Sequence, residues 1–205
     1  MMRPNSPTAH RITEDGGTTR MLHSEHLFGL ANADRLTGPA KARFRELLPP
    51  IYLRFDIGGI GVAAVNPSPA DTYELAEVGP KALIFPCRGY PGTHPEPLID
   101  LVAWNPRTGE LYRRLGIADL LGGWHVMPPA SDVVKVYSDP ASWARAGGDG
   151  VVVLDWGRVH FALGHVRKLV ADDVALGRRL RDAMTPPAPR LPRILVETSK
   201  HEVAA

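Results

Sequence analysis

The stretch from Val133 to Asp155, VVKVYSDPASWARAGGDGVVVLD, constrains the fold more than any other part of the chain. Val133, Val134, Val136 and Tyr137 are β-branched or aromatic and suit a pleated strand. Ser138-Asp139-Pro140 reads as a helix start. A Ser or Asp oxygen accepts from the first free backbone N–H groups, and proline at the first helical position lacks only an N–H that would go unbonded there. Trp143 and Ala146, with Ala141 or Ala144, supply a small apolar face. Gly147-Gly148 ends the helix, because glycine takes the left-handed conformation without steric penalty. Val151 to Leu154 is a continuous apolar run, the mark of a strand covered on both faces. Strand, helix and strand together predict two parallel strands joined by a right-handed crossover.

Around this unit the chain alternates shorter signals. Residues 1–20 are polar and read as a loose or disordered arm. Met21 to Leu36 suggests a short helix. Thr37-Gly38-Pro39 opens a clearer one, with Ala40, Phe44, Leu47 and Leu48 on its apolar face. Ile51 to Ile57 alternates apolar and polar residues, and Gly58-Gly59 returns it into Ile60 to Val65 as a hairpin. Thr72 to Val78 and Ala82 to Phe85 are further strands. Pro86 to Pro97 is a Gly- and Pro-rich loop. Leu98 to Trp104 pairs back with Glu110 to Leu115, and Ile117 to Leu121 reads as a helical turn. Gly157 to Gly164 suggests one or two helical turns, and Arg167 to Val170 a short strand. Asp172-Asp173 caps a helix from Val174 to Met184, with Leu176 and Leu180 inward and Arg178, Arg179 and Arg181 outward. Thr185 to Pro189 is a stiff linker, and Leu191 to Val196 an edge strand or docked tail.

The expected fold is therefore α+β (mixed α/β). It has one mainly antiparallel sheet, a strand–helix–strand unit at 133–155 and a helix at about 172–184. The expected organisation is an arm at 1–20, one domain at 21–184, and a Pro-rich linker and tail at 185–205.

Composition removes several function classes. No apolar run is long enough to span a bilayer, and the N-terminus lacks the apolar core of a signal peptide, so the expected location is cytoplasmic. The single cysteine, Cys87, excludes an internal disulfide and a multi-cysteine metal site. The formal net charge of +2 favours neither nucleic acid nor its absence as a partner. His23 and His26 share helical spacing but lack further ligands. His160 and His165 do not share a face, and His94 and His125 fall in loops. Gly58-Gly59-Ile60-Gly61 lacks a full phosphate-binding fingerprint.

Three places carry candidate chemistry. LIDLVAWNPRTGELYRRLG, residues 98–116, sets Asp100 inside an apolar strand before a turn and a second strand. It resembles the core hairpin of PD-(D/E)xK nucleases, in which an Asp and a downstream Glu-x-Lys hold a divalent metal. Asp100 matches the first carboxylate. Arg113-Arg114-Leu115 stands where the Glu-x-Lys is needed, and Glu110 lies at the strand's beginning, so a metal site of this type fails. Asp155 ends a buried strand, where open α/β sheets place ligand-contacting groups. With Asp172 and Asp173 it resembles the acidic strand ends of Toprim domains, without their Asp-x-Asp or the strand-ending glutamate. Arg178, Arg179 and Arg181 are candidates for phosphate contact; the plainer reading is a solvated helix face.

The ordered run LVAWNP, DPASWARAGGDGVVVLDW and LVADDVALGRRLRDAM resembles a group of uncharacterised bacterial proteins encoded near prophage-type genes, over roughly residues 80–184. That resemblance implies a genomic context and brings no catalytic residues with it. The expectation is a non-enzymatic accessory or interaction protein of mobile-element context. It needs no cofactor or metal, and its partner is a protein or nucleic acid that the sequence does not identify. The alternatives are a divergent nucleic-acid-binding protein, a degenerate PD-(D/E)xK-like nuclease, and a small-ligand binder at the strand ends near Asp155.

Overall fold

The structure, a computed structural model, describes residues 12–48, 59–89, 97–126 and 132–185, with side chains from residue 17 onward. The expected strand at Ile51–Ile57, most of the 86–97 loop, and the linker and tail beyond Thr185 lie outside the described residues.

The chain is mixed α+β, and its strands divide between two sheets. Two helices come first, α1 (Ile12–Asp34) and α2 (Gly38–Leu47). Five strands follow: β1 (Gly61–Ser68), β2 (Thr72–Ala76), β3 (Lys81–Arg88), β4 (Leu98–Trp104) and β5 (Leu111–Arg113). They close into a barrel in the order β1-β2-β5-β4-β3. All its pairings are antiparallel except β2 with β5, which meet in parallel at Thr72 and Arg113.

Helix α1 starts at Ile12, so the last residues of the expected N-terminal arm are helical. Its sequence hides this: two glycines and three threonines sit in its first half, and its apolar residues form no stripe. Tertiary packing sets the helix. Leu22 and His26 are buried against the barrel, and Gly29 meets Gly61 of β1 backbone to backbone. A β-carbon on Gly61 would lie 2.7 Å from the Gly29 carbonyl carbon.

The second sheet has the order β6-β8-β7-β9. Its members are β6 (Leu120–Leu121), β7 (Val133–Tyr137), β8 (Val151–Val153) and β9 (Lys168–Ala171). Helices α3 (Pro140–Arg145), α4 (Val159–Leu163) and α5 (Val174–Met184) connect and cover them. Residues 117–121, expected as a helical turn, instead end in β6, whose Leu120 and Leu121 pair antiparallel with Val153 and Val152. Strands β7 and β8 are parallel, as are β7 and β9. Asp139 caps α3 by accepting from the N–H groups of Ala141 and Ser142, with Pro140 at the first turn.

Two cores cover the faces of this sheet. On one, Val134, Val136, Val151 and Val153 pack under Val159, Leu163, Leu176 and Leu180 of α4 and α5. On the other, Val152 joins Ala141, Trp143 and Ala144 of α3 to Phe85, Val102 and Trp104 of the barrel and to Phe44 and Leu48 of the α2 region. Trp143 is fully buried there, edge-on to Phe85 at 6.5 Å, and its indole N–H donates to the Gly150 carbonyl at 2.9 Å. Among the described residues, no helix is long and apolar enough to cross a membrane.

Candidate nucleic-acid interface

The strand order of the second sheet reverses at β7: the chain steps from β7 to β8 on one side, then back across to β9 on the other. In an open α/β sheet, ligands bind outside the carboxyl ends of the strands at such a point. The residues there are Ser138 and Asp139 after β7, Asp172 and Asp173 after β9, and Asp155 after β8. The cap chemistry that starts the helices determines what these carboxylates do.

Each carboxylate already has partners. Asp139 accepts from Ala141 N, Ser142 N and the Ser142 hydroxyl. Asp173 accepts from Leu176 N at 2.7 Å. One oxygen of Asp172 accepts from both the N–H and the hydroxyl of Ser138, at 3.0 and 2.9 Å, which fastens the ends of β7 and β9 together. Asp155 pairs with the buried Arg113 of β5 at 3.2 Å and accepts from Gly157 N. Arg113 also donates to the Ala118 carbonyl, so this pair ties the second sheet to the barrel. Asp119, alongside, meets Arg158 at 3.3 Å. Among the described residues, no three His, Cys, Asp or Glu side chains converge to hold a metal.

Asp100 is far from this edge in role. It is fully buried on β4, opposite Cys87 where the pairing with β3 is irregular. One oxygen accepts from Leu101 N and Leu115 N, the other from Ile117 N and Ala118 N, at 2.8 to 3.1 Å. The carboxylate organises the loop after β5. The arginine that stands where the nuclease pattern has its Glu-x-Lys, Arg114, forks onto Glu25 of α1. Cys87 is buried, and desolvation pushes its thiol well above the ordinary value, which keeps it protonated and unreactive. His26 donates to the Gly59 carbonyl at 3.2 Å, and burial lowers its basicity. It ties α1 to the start of β1 and makes no pair with the exposed His23.

The three arginines of α5 separate into two environments. Arg179 lies over the ring of Trp156, 3.7 Å from its centroid. Arg178 and Arg181, three residues apart and so on one helix face, both line a depression of about 650 Å³ between α5 and the edge strand β9. Arg167, just before β9, lines the same depression, whose floor includes Val166, Leu169, Leu180 and Met184. No carboxylate is among the described lining residues. Arg167 has one distant partner, Asp132 at 4.0 Å with both side chains exposed, so its charge remains available to a ligand. The sequence pattern singled out all three helical arginines, of which two line the depression, but not Arg167, which only the β9–α5 packing brings beside them.

Comparison with known proteins bears on the fold. No family model matches the chain, nor does any curated protein sequence. Among solved structures it is similar to the DnaG catalytic core, at 13% identity and a TM-score of 0.50 over 80% of this chain. It is likewise similar to the E. coli primase catalytic core, at 12% identity and a TM-score of 0.50 over 81% of this chain. In each case the chain spans 64% of the other chain's length. At this identity the likeness is one of fold.

Proposed function

We propose that the protein is a non-catalytic, nucleic-acid-binding accessory protein of mobile-element context, built on a primase-core-like fold. The observation that carries the reading is the depression lined by Arg167, Arg178 and Arg181, with no carboxylate among its described lining residues. Guanidinium groups so grouped suit the oxygens of successive phosphates. The fold likeness to primase catalytic cores adds a nucleic-acid setting. The non-catalytic part is supported by the strand-end carboxylates, each of which serves a helix cap, a strand clamp or an ion pair.

The test is fluorescence anisotropy with labelled single-stranded DNA, duplex DNA and RNA across a salt series. Binding should weaken steeply with salt. Removing the three arginines together should lower the logarithmic salt slope by roughly 2–3, at about 0.7–0.9 per phosphate contact. The Arg179→Ala variant should keep most of the affinity, because that side chain is turned onto Trp156. Binding indifferent to salt or to the triple substitution would refute the interface. Magnesium-dependent primer synthesis or strand cleavage by the wild type, lost in Asp155→Asn, would refute the non-catalytic reading.

A further inference from the structure

A second concavity, of about 740 Å³, lies between α2, the β1 and β3 strands and the β4–β5 turn. Leu36, just before α2, and one face of α2 line it, the latter through Pro39, Ala40, Arg43, Phe44 and Leu47 at positions i, i+1, i+4, i+5 and i+8. The facing wall is the start of β3 and the turn at 105–108. Phe44, Val62, Ala82 and Leu83 give it an apolar floor. Arg43, Lys81 and Arg107 stand around it, all exposed. Among the described residues none of these three cations is in an ion pair, and no carboxylate lines the groove.

We infer that this groove receives an acidic amphipathic helix of a partner protein. Charge complementarity and length argue for that occupant. The helical part of the lining runs from Pro39 to Leu47, about 12 Å at 1.5 Å per residue, which matches just over two turns of a docked helix. A helix with apolar anchors at i, i+3 or i+4, and i+7 fills such a floor, while carboxylates beside the anchors meet the three cations. Nucleic acid fits poorly. The Phe44 ring is 8% exposed, too deep to stack a base, and phosphates gain nothing from an apolar floor. The groove shares no lining residue with the arginine depression, so the two sites stand or fall separately.

The test selects phage-displayed random peptides of about 16 residues against the full chain. Selected peptides are then measured on two variants. One reverses the rim charges (Arg43→Glu, Lys81→Glu, Arg107→Glu); the other plugs the groove (Ala40→Trp). All four positions are exposed, and circular dichroism checks that each variant folds. The enriched peptides should carry net negative charge, with apolar residues at helical spacing. Their affinity should drop about tenfold or more on either variant, and a selection on the charge-reversed protein should enrich basic peptides instead. If the plugged variant unfolds, the charge-reversed one still decides. The inference is overturned by failure to enrich any peptide, by enriched peptides that lack acidic character, or by peptides that bind the charge-reversed variant equally well. An oligonucleotide that displaces the peptides from the wild type would assign the groove to nucleic acid and overturn it too.

Discussion

Asp100 offers the sharpest test of how this fold is held. Its two oxygens accept from four backbone N–H groups, two each. Asp100→Asn keeps the shape but turns one oxygen into an NH2 group. Whichever way the amide lies, two N–H donors then face another donor. These are Leu101 and Leu115 in one orientation, Ile117 and Ala118 in the other. A buried donor left without an acceptor costs about 1–3 kcal/mol, so the pair costs about 2–6 kcal/mol. Leu115 and Ile117 sit in a partly exposed loop where water reaches, which favours the lower half of that range. Against a total stability of about 5–15 kcal/mol this is a large loss. For a chain of this length it lowers the melting temperature by about 2–4 °C per kcal/mol. Urea unfolding at constant m-value measures it directly. Asp100→Ala, which removes all four acceptors, should be worse. A change below about 0.5 kcal/mol for Asp100→Asn, at unchanged m, would refute the account. The same series tests the nuclease alternative. A carboxylate that bound magnesium would make wild-type stability rise with the ion by mass action, whereas no magnesium dependence is expected in either protein.

Other substitutions probe the remaining joints. Gly61→Ala should destabilise by about 1–3 kcal/mol in the same assay, because the atoms met by the new methyl belong to the backbone of Gly29 and cannot rotate away. Ala70 holds a φ of +65° in the β1–β2 turn, so Ala70→Asn should stabilise by about 1 kcal/mol as judged by thermal melting. His26 has a folded pKa below its ordinary 6.5, chiefly through burial. The unfolded chain therefore takes up that proton first as pH falls. The contribution of His26 is fully present above about pH 6.5 and is lost as pH drops through the folded value. His26→Gln should flatten the stability profile below pH 6.5, and an unchanged slope would remove His26 as its source.

The best-specified local segments were legible. At 133–155 the cap, the proline and the apolar run lie next to one another, and at 172–184 the Asp173 cap directly precedes an amphipathic helix, so the sequence carries the chemistry that builds them. The mixed class followed from the same signals. Barrel closure did not, because its last seam is the single parallel pair Thr72–Arg113, between residues far apart in the chain. The β1 strand continues through Pro67, opposite Tyr73, beyond the Ile60–Val65 span that the local pattern marked. Residues 117–121 lost their helical character to pairing with β8, a partner that local spacing cannot reveal. At the candidate sites, an Asp within an apolar strand was a visible anomaly. Its explanation lies in the amides of residues 115–118, which have no side-chain signature. Arg178 and Arg181 were visible as a helical face. Arg167 became their companion through packing alone, and the α2 groove left no mark in the sequence beyond an ordinary apolar stripe.

The core around Trp143 belongs to neither sheet. Phe85 comes from the barrel, Val152 from the second sheet, and Phe44 and Leu48 from the α2 region. Cutting between the sheets would expose the largest buried ring in the described chain to water on both fragments' account. The two sheets therefore have no independent melting points. Calorimetry should show one transition, and amides at the centres of β4 and β8 should exchange with the same free energy of opening, as one cooperative unit rather than two modules joined by a linker.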